Sequence, residues 1–345
     1  MNEFDSIIKE AFDKRVSDVH LREDQQVYIR QGARLTRTLD QRVDPARVRE
    51  IILGTLTEKE KKTLFSHLSL DYSYRVEGIC RLRGNVFFQR RKMSAVYRLI
   101  PLTPPAPADL LLPPCAVDFA MRPRGLVVIA GPSGSGKSTT VSALVNAVNE
   151  KKHDHILTIE DPIEFIYHEK LCAITQREVG RNTLSFAAGL KYALRQDPDV
   201  VVVGEMRDLE TVSTAITMAE TGHLVISTVH TTGAAETIDR IINIFPPALQ
   251  EQIRTQLSLN VQGILSQILV PRKDGNGRMA IFEVLYPTFA MRNIIRKGDV
   301  NKLRSAIETS SREGSISMER ALDNACKAGQ ISEETMRETQ AYLKG

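Results

Sequence analysis

Near the start of the chain, apolar residues recur at helical spacing. In the segments that follow, apolar and polar residues alternate. The helical positions are Phe4, Ile7, Ile8, Ala11 and Phe12. Their spacing of three or four residues is typical of a helix with one buried face. The segments "SDVHL" and "QQVYIRQG", and a basic segment from residue 75 to residue 98, alternate as half-buried strands do. Residues 1–100 are therefore predicted to form a small mixed α+β domain.

A proline-rich stretch follows this domain. The segment "PLTPPAPADLLLPP" holds six of the chain's 15 prolines. Proline fixes the backbone dihedral φ and removes a hydrogen-bond donor, so such a stretch behaves as a semi-rigid linker. Residues 101–123 are predicted to be the linker between two domains.

From residue 124 to residue 345 the pattern changes to short apolar strands that alternate with helices. The predicted strands are "GLVVIA", "HILTIEDP", "DVVVVGE" and "HLVISTV". The helices predicted between them are "KSTTVSALVNAVNE", "SFAAGLKYALRQ" and "LETVSTAITMAE". This order builds a mainly parallel sheet covered by helices. Near the end, Gly329 is predicted to terminate one helix and Ser332 to begin the next.

Composition limits the class of protein. A chain of 345 residues, 42% apolar and 26% charged, is typical of a globular protein with more than one domain. The 46 basic and 42 acidic residues nearly cancel, so no nucleic acid partner is expected. The four cysteines are far apart in the sequence and indicate free thiols in a reducing compartment. The N-terminus lacks the pattern of a signal peptide, and a cytoplasmic location is expected.

The segment "GPSGSGKST" matches the P-loop pattern and lies between a predicted strand and a predicted helix. Its glycines let backbone amides point at phosphate oxygens, and the following helix adds the positive end of its dipole. Lys137 is expected to neutralise the β- and γ-phosphates of ATP, and Ser138 to bind Mg²⁺. The predicted nucleotide-binding residues here are Gly131, Ser133, Gly134, Ser135, Gly136, Lys137, Ser138 and Thr139.

Carboxylates follow two of the predicted strands. Glu160, Asp161 and Glu164 come after one strand, and Glu205 comes after another. Ligands of open α/β sheets bind beyond the carboxyl ends of the strands, so these acids are expected near the P-loop. There they can share the tasks of holding Mg²⁺ and orienting water.

Two histidines flank the strand "HLVISTV". His230 follows the strand, where it could sense the γ-phosphate by hydrogen bonding, and a structural role is equally open. His223 precedes the strand, and its position favours a structural role.

Taken in order, these motifs resemble those of the secretion ATPases that power type IV pili and type II secretion, most closely the pilus-retraction members. The resemblance covers essentially the whole chain. It rests on "SDVHL", "GPSGSGKSTT", "ILTIEDPIEF", "DPDVVVVGEMRDLET" and "TGHLVISTVHTTGAAETIDRIINIFP". It implies a PAS-like N-terminal domain followed by a RecA-like ATPase domain with a C-terminal helical region.

The resemblance also implies individual roles. Glu205 matches the Walker B acid, which organises Mg²⁺ together with Ser138, and Glu164 matches the catalytic carboxylate. Glu160 and Asp161 support the site, and His223 and His230 match residues of the histidine box. The N-terminal arginines expected to reach the nucleotide are Arg81, Arg83, Arg91 and Arg98.

The family works as homo-hexameric rings, so the resemblance implies a cytoplasmic hexamer at the inner membrane. The expected partner is a membrane platform protein, and a second pilus ATPase is left open as a further partner. The chain lacks the four-cysteine motif of assembly and secretion members, and "AMRNIIRKGD" resembles a motif associated with retraction, with Lys297 in place of its terminal Glu. An assembly or secretion motor, an accessory ATP-binding subunit and, more weakly, a nucleic acid translocase are the alternatives.

Overall fold

The computed structural model describes residues 2–31, 34–37, 43–275 and 277–344. Within these ranges the chain forms two compact units. The first contains the residues up to 103 together with 164–166, and the second contains 104–163 and the residues from 167 onward. Gly32, the last residue of a predicted strand, lies outside the described ranges.

The first unit is built on an antiparallel sheet. Over the described residues its six strands lie in the order β3-β2-β1-β6-β5-β4. Its elements are α1 (Glu3–Asp13), β1 (Asp18–Arg22), β2 (Tyr28–Gln31), β3 (Arg34–Thr36), α2 (Val48–Gly54), α3 (Glu58–His67), β4 (Ser69–Val76), β5 (Cys80–Gln89) and β6 (Lys92–Pro101).

The predicted first helix is confirmed. The side chain of Asn2 accepts a hydrogen bond from the Asp5 N–H at 2.7 Å and caps α1. The helix buries Phe4, Ile7 and Ile8 in the core of this unit. Burial along β5 alternates with polar positions, so one face of the sheet packs on the core and the other carries charge.

The second unit contains the mainly parallel sheet that the sequence predicts. Over the described residues its order is β13-β12-β7-β11-β10-β8-β9, and only the pairing of β13 with β12 is antiparallel. Its elements are α4 (Pro114–Ala120), β7 (Gly125–Ala130), α5 (Lys137–Lys151), β8 (His155–Glu160), β9 (Ala173–Glu178), α6 (Phe186–Ala193), β10 (Val200–Val203), α7 (Leu209–Glu220), β11 (Leu224–Val229), α8 (Ala234–Asn243), α9 (Pro247–Asn260), β12 (Val261–Pro271), β13 (Arg278–Leu285), α10 (Phe289–Lys297), α11 (Val300–Thr309), α12 (Met318–Lys327) and α13 (Glu333–Lys344).

The three central strands β7, β10 and β11 are buried along their whole length. Their valines and isoleucines suit strands that are covered on both faces. Because these strands run parallel, the loops after β7, β10 and β11 leave the same edge of the sheet. That edge is where the site is expected.

Part of the predicted linker is folded. Residues 114–120 form α4, whose Phe119 is fully buried in the second unit. Gly263 lies against the Phe119 ring, and a Cβ atom there would come within 2.2 Å of it. The apolar residues that follow these prolines therefore pack into the core, which the proline content alone does not predict.

The C-terminal helices begin and end where the sequence predicts. Gly329 follows α12 with a φ of +71°, and the Ser332 hydroxyl accepts a hydrogen bond from the Thr335 N–H at 3.1 Å at the start of α13. None of the helices in the described ranges is long and apolar enough to cross a membrane.

Candidate active site

The P-loop lies between β7 and α5. Gly134 and Gly136 have φ values of +75° and +87°, which L side chains rarely adopt. Gly131 is required for a steric reason, because a Cβ atom there would lie 2.4 Å from the Gln267 carbonyl oxygen. The loop therefore turns tightly and delivers the chain to the first turn of α5 at Lys137.

Lys137 is buried, and its ammonium group lies over the loop. Its Nζ donates hydrogen bonds to the carbonyl oxygens of Gly131 at 2.8 Å and Pro132 at 3.0 Å. The same atom lies 3.4 Å from Nδ1 of His230. The positive charge is thus held where a P-loop binds phosphate.

Glu205 lies one residue beyond Gly204, at the end of β10. Its Oε2 is 2.6 Å from Nε of Arg207 and 3.4 Å from Nε2 of His230. The carboxylate is largely shielded from solvent, whereas the Arg207 side chain is exposed. Arg207 was not selected from the sequence, although its position two residues after Glu205 in an exposed loop is a signal that could have found it.

His230 links the lysine to the glutamate. Burial lowers the pKa of His230, and the nearby charge of Lys137 lowers it further, while Glu205 acts in the opposite direction. The imidazole is therefore neutral at pH 7. Nδ1 accepts from the Lys137 ammonium, and Nε2–H donates to Glu205. The structure thus brings together three of the predicted catalytic residues.

Glu160 ends β8 at the same edge. Its Oε1 accepts hydrogen bonds from the Thr158 hydroxyl at 2.6 Å and from Nε2 of Gln176 at 3.3 Å. Ile159, the residue before it, pairs with Val203 of β10, which precedes Gly204 and Glu205. Glu160 therefore lies at the end of its strand, level with the residues that lead to Glu205.

The remaining P-loop side chains differ in exposure. Ser133 and Ser138 are exposed, and Thr139 is half-buried. The Ser135 hydroxyl oxygen is buried, and among the described residues it has no hydrogen-bond partner. Ser138 and Glu205 offer hard oxygen donors, which is the ligand type that Mg²⁺ prefers.

His223 lies at the opposite edge of the sheet. Its Nδ1 is 3.1 Å from the Met218 carbonyl oxygen, so the ring packs against the end of α7. The six residues of β11 separate it from His230, a span of about 23 Å at roughly 3.3 Å per residue. The structure does not bring His223 to the P-loop of the same chain.

The two other predicted acids, Asp161 and Glu164, follow Glu160 in the chain. Asp161 is exposed in the loop after β8. Glu164 is half-buried and lies in the segment 164–166, which belongs to the first unit. The site described in the second unit is built without Glu164.

The four predicted arginines lie in the first unit, three of them on neighbouring strands. Arg81 and Arg83 are on β5, and Arg83 pairs directly with Arg98 of β6. Nε of Arg98 lies 3.0 Å from Oδ1 of the buried Asp18 on β1. Like charges directly opposite one another cost stability, and this pair is tolerated because it is exposed and Asp18 partly balances it. Arg91 is in the turn between β5 and β6, apart from the other three.

Comparisons with known proteins agree with this geometry. The family model of type II/IV secretion system proteins matches residues 116–337. A twitching motility protein of Neisseria gonorrhoeae is 43% identical over 84% of this chain and 78% of its own length. The type IV pilus retraction ATPase PilT of Pseudomonas aeruginosa is 42% identical over 93% of each chain.

A solved structure also matches over nearly the whole chain. The pilus retraction motor PilT with bound ADP is 40% identical, has a TM-score of 0.87, and is matched over 98% of this chain and 97% of its own. The same family is indicated by the P-loop, by the Lys137–His230–Glu205 cluster, and by the matches in sequence and in structure. The chain therefore belongs to the type II/IV secretion system protein family, among its PilT-like ATPases.

Proposed function

We propose that this chain is an ATP-hydrolysing motor that drives type IV pilus retraction and hence twitching motility. The contact of Lys137 with His230, and of His230 with Glu205, is the observation that carries the proposal. It joins a phosphate-binding group to a carboxylate at the carboxyl edge of a parallel sheet. The names of the relatives at 42% and 43% identity supply the direction of the motor.

The residues present fit MgATP. The P-loop amides and the Lys137 ammonium suit the phosphates, and Ser138 with Glu205 would hold Mg²⁺. The buried Ser135 hydroxyl, which lacks a partner among the described residues, is a further polar group at this loop. Bound Mg²⁺ neutralises the charge that develops on the transferring phosphoryl group.

The chain's own residues supply the remaining chemistry. Lys137 places positive charge at the phosphates. His230 accepts from Lys137, donates to Glu205 and so orients both groups. Glu164 is proposed to orient the attacking water, and Glu160 to support the site. Arg81, Arg83, Arg91 and Arg98 are proposed to supply positive charge to a nucleotide in the assembled ring.

The proposed assembly is a cytoplasmic homo-hexamer that docks on the inner membrane. There it would act on a platform protein, alone or with a second pilus ATPase, and no nucleic acid is expected to take part. Nucleotide-dependent closure of domains is the general way in which such rings convert hydrolysis into movement.

A count of surface pili tests the direction of the motor. Cells that lack the gene are compared with the parent, and with cells given back the wild-type, the Glu164→Gln or the Glu169→Gln form. Glu169 is exposed in the same loop and serves as the control. We expect pili to accumulate and motility to be lost without the gene, and only the wild-type and Glu169→Gln forms to correct both.

Other outcomes identify the alternatives. Loss of pili in the deletion strain would identify an assembly motor. Full correction by Glu164→Gln would remove Glu164 from the catalytic residues. A purified protein that binds ATP without any turnover would indicate an accessory subunit.

A further inference from the structure

Gln267 lies directly beneath the P-loop and belongs to none of the sequence motifs. It is on β12, one residue after Ser266, which pairs with Ala130 at the end of β7. Gln267 is thus at the point where the chain leaves β7 to enter the loop. Its side chain is 1% exposed, which is unusual for an uncharged polar residue without a structural task.

The side-chain amide of Gln267 is bonded to the loop. Its Nε2 donates to the Ser135 carbonyl oxygen at 2.6 Å across 132 positions of sequence. The orientation of the amide follows from this contact, because only the NH₂ group can donate to a carbonyl. The Gln267 backbone oxygen lies close to the start of the loop, where a Cβ atom at Gly131 would lie 2.4 Å from it. Gln267 therefore approaches the loop at Gly131 and is hydrogen-bonded to it at Ser135.

This contact determines where one backbone amide of the loop points. The peptide bond is planar and trans, so the Ser135 C=O and the Gly136 N–H point in opposite directions. Because the carbonyl is bonded to Gln267 on the side of β12, the Gly136 N–H faces away from β12. Backbone N–H groups of this loop are the ones that bind phosphate.

The two residues of this contact also carry buried polar atoms that have no hydrogen-bond partner among the described residues, namely Ser135 Oγ and Gln267 Oε1. Each such atom costs folding free energy that an apolar residue would avoid. A buried amide kept beneath the loop at that cost indicates a task in binding.

We infer that Gln267 is a positioning residue for the nucleotide: its hydrogen bond to Ser135 holds the Ser135–Gly136 peptide in the orientation that presents the Gly136 N–H to phosphate. The inference rests on nucleotide binding at the P-loop and not on the direction in which the motor works. Because ATP and ADP share the phosphates that a P-loop amide contacts, the effect is on binding of both nucleotides more than on turnover.

The test uses Gln267→Met, which keeps the length of the side chain and removes the donor. Gln267→Glu replaces the donor with an acceptor that faces the Ser135 carbonyl. Gln262→Met, at the other end of the same strand, is the matched control. Kd for fluorescent ATP and ADP analogues, kcat, KM and the midpoint of thermal unfolding are measured on the purified full-length chain.

We expect Gln267→Met to raise Kd for both nucleotides and KM by about tenfold, the effect of one lost hydrogen bond. We expect kcat to stay within about threefold and the unfolding midpoint of the free protein to stay close to that of the parent. Gln267→Glu should weaken binding further, and Gln262→Met should leave Kd unchanged. Lys137→Ala tests separately whether the nucleotide binds at the P-loop, and it should abolish nucleotide binding.

Several results would overturn the inference. In one, the Kd of Gln267→Met lies within twofold of the parent; in another, Gln262→Met shows the same rise. If Gln267→Met and Gln267→Glu both fail to fold, Gln267 is a core residue and not a positioning residue. Unchanged binding by Lys137→Ala would place the nucleotide elsewhere and would overturn the proposed site together with the inference.

Discussion

The two ends of β11 carry the same residue type in different surroundings. His230 follows the strand and contacts the side chains of Lys137 and Glu205. His223 precedes it and contacts the backbone oxygen of Met218. At one end the ring joins two charged groups, and at the other it packs against the end of a helix.

The difference comes from the direction of the strands. In a parallel sheet the chain leaves every strand at the same edge, the carboxyl edge. The residues that follow β7, β10 and β11 therefore lie close together although they are far apart in sequence. His223, which precedes β11, instead meets the end of the previous helix, α7. Function therefore concentrates at the edge that holds Lys137, Glu205 and His230.

The largest expected effect is on the rate of ATP hydrolysis, and it distinguishes substitutions at the two ends of α5. Lys137→Ala should lower ATP hydrolysis by about 10³-fold, because a buried positive charge at the phosphates is lost. Lys151→Ala, at the exposed other end of the same helix, should leave the rate within about twofold. Steady-state hydrolysis by the purified variants checks both. Equal losses in the two variants would contradict the assignment of the active edge.

The two histidines provide the next comparison. His230→Ala should lower kcat by about 10²-fold, because Lys137 and Glu205 lose the group that orients them. His223→Ala should change kcat less than about threefold. An equally large loss in His223→Ala would break the comparison, and would show that His223 acts at the site of another copy of the chain.

The pH dependence of hydrolysis tests the neutral state of His230. Burial and the nearby charge of Lys137 lower its pKa below 6.5, so the neutral ring predominates at pH 6.5 and above. The rate should fall on acidification with a midpoint below pH 6.5. The contribution of His230 to folding is likewise present above 6.5 and declines as pH falls toward the lowered pKa, since the unfolded chain takes up the proton first. A midpoint above pH 6.5 in wild type that is absent from His230→Ala would contradict this.

A smaller effect, on the free energy of unfolding, is expected at Glu283. This residue is on β13 and contacts the start of α8, the helix that follows His230 in the chain. Its carboxylate accepts from the Ala234 N–H at 2.6 Å and from the Met318 N–H at 3.4 Å, at the starts of α8 and α12. Burial raises its pKa to about 6, in spite of these bonds. The folded state thus favours the protonated acid, and stability is lost as pH rises from the unfolded value of about 4.3 through 6.

Glu283→Gln should therefore gain stability relative to the parent between pH 5 and 7.5, by about 1 kcal/mol, since it removes the buried charge and keeps one acceptor oxygen. Urea unfolding at the two pH values measures the change. The exposed Glu338→Gln on α13 is the control and should show no such trend. A constant difference between Glu283→Gln and the parent would contradict the raised pKa.

Prediction from the sequence succeeded where the signal is local. The helix at Phe4, the strand "GLVVIA" and the caps at Gly329 and Ser332 follow from spacing and backbone preference, and the structure confirms them. Strands β9, β12 and β13 and the helix α4 were not predicted, because their patterns depend on what covers them. Phe119 illustrates this, since its burial depends on Gly263, far along the chain.

The sequence by itself determined that the chain binds a nucleotide and which residues form the loop, because a P-loop is a local pattern of glycines, lysine and serine. It also determined the family, through motifs in a specific order. Only the tertiary structure decided that His230 and not His223 joins Lys137 to Glu205, and that Gln267 supports the loop from β12. The physical reason is that hydrogen bonds depend on distances of about 3 Å between atoms, and the order of the strands, not separation along the chain, determines those distances.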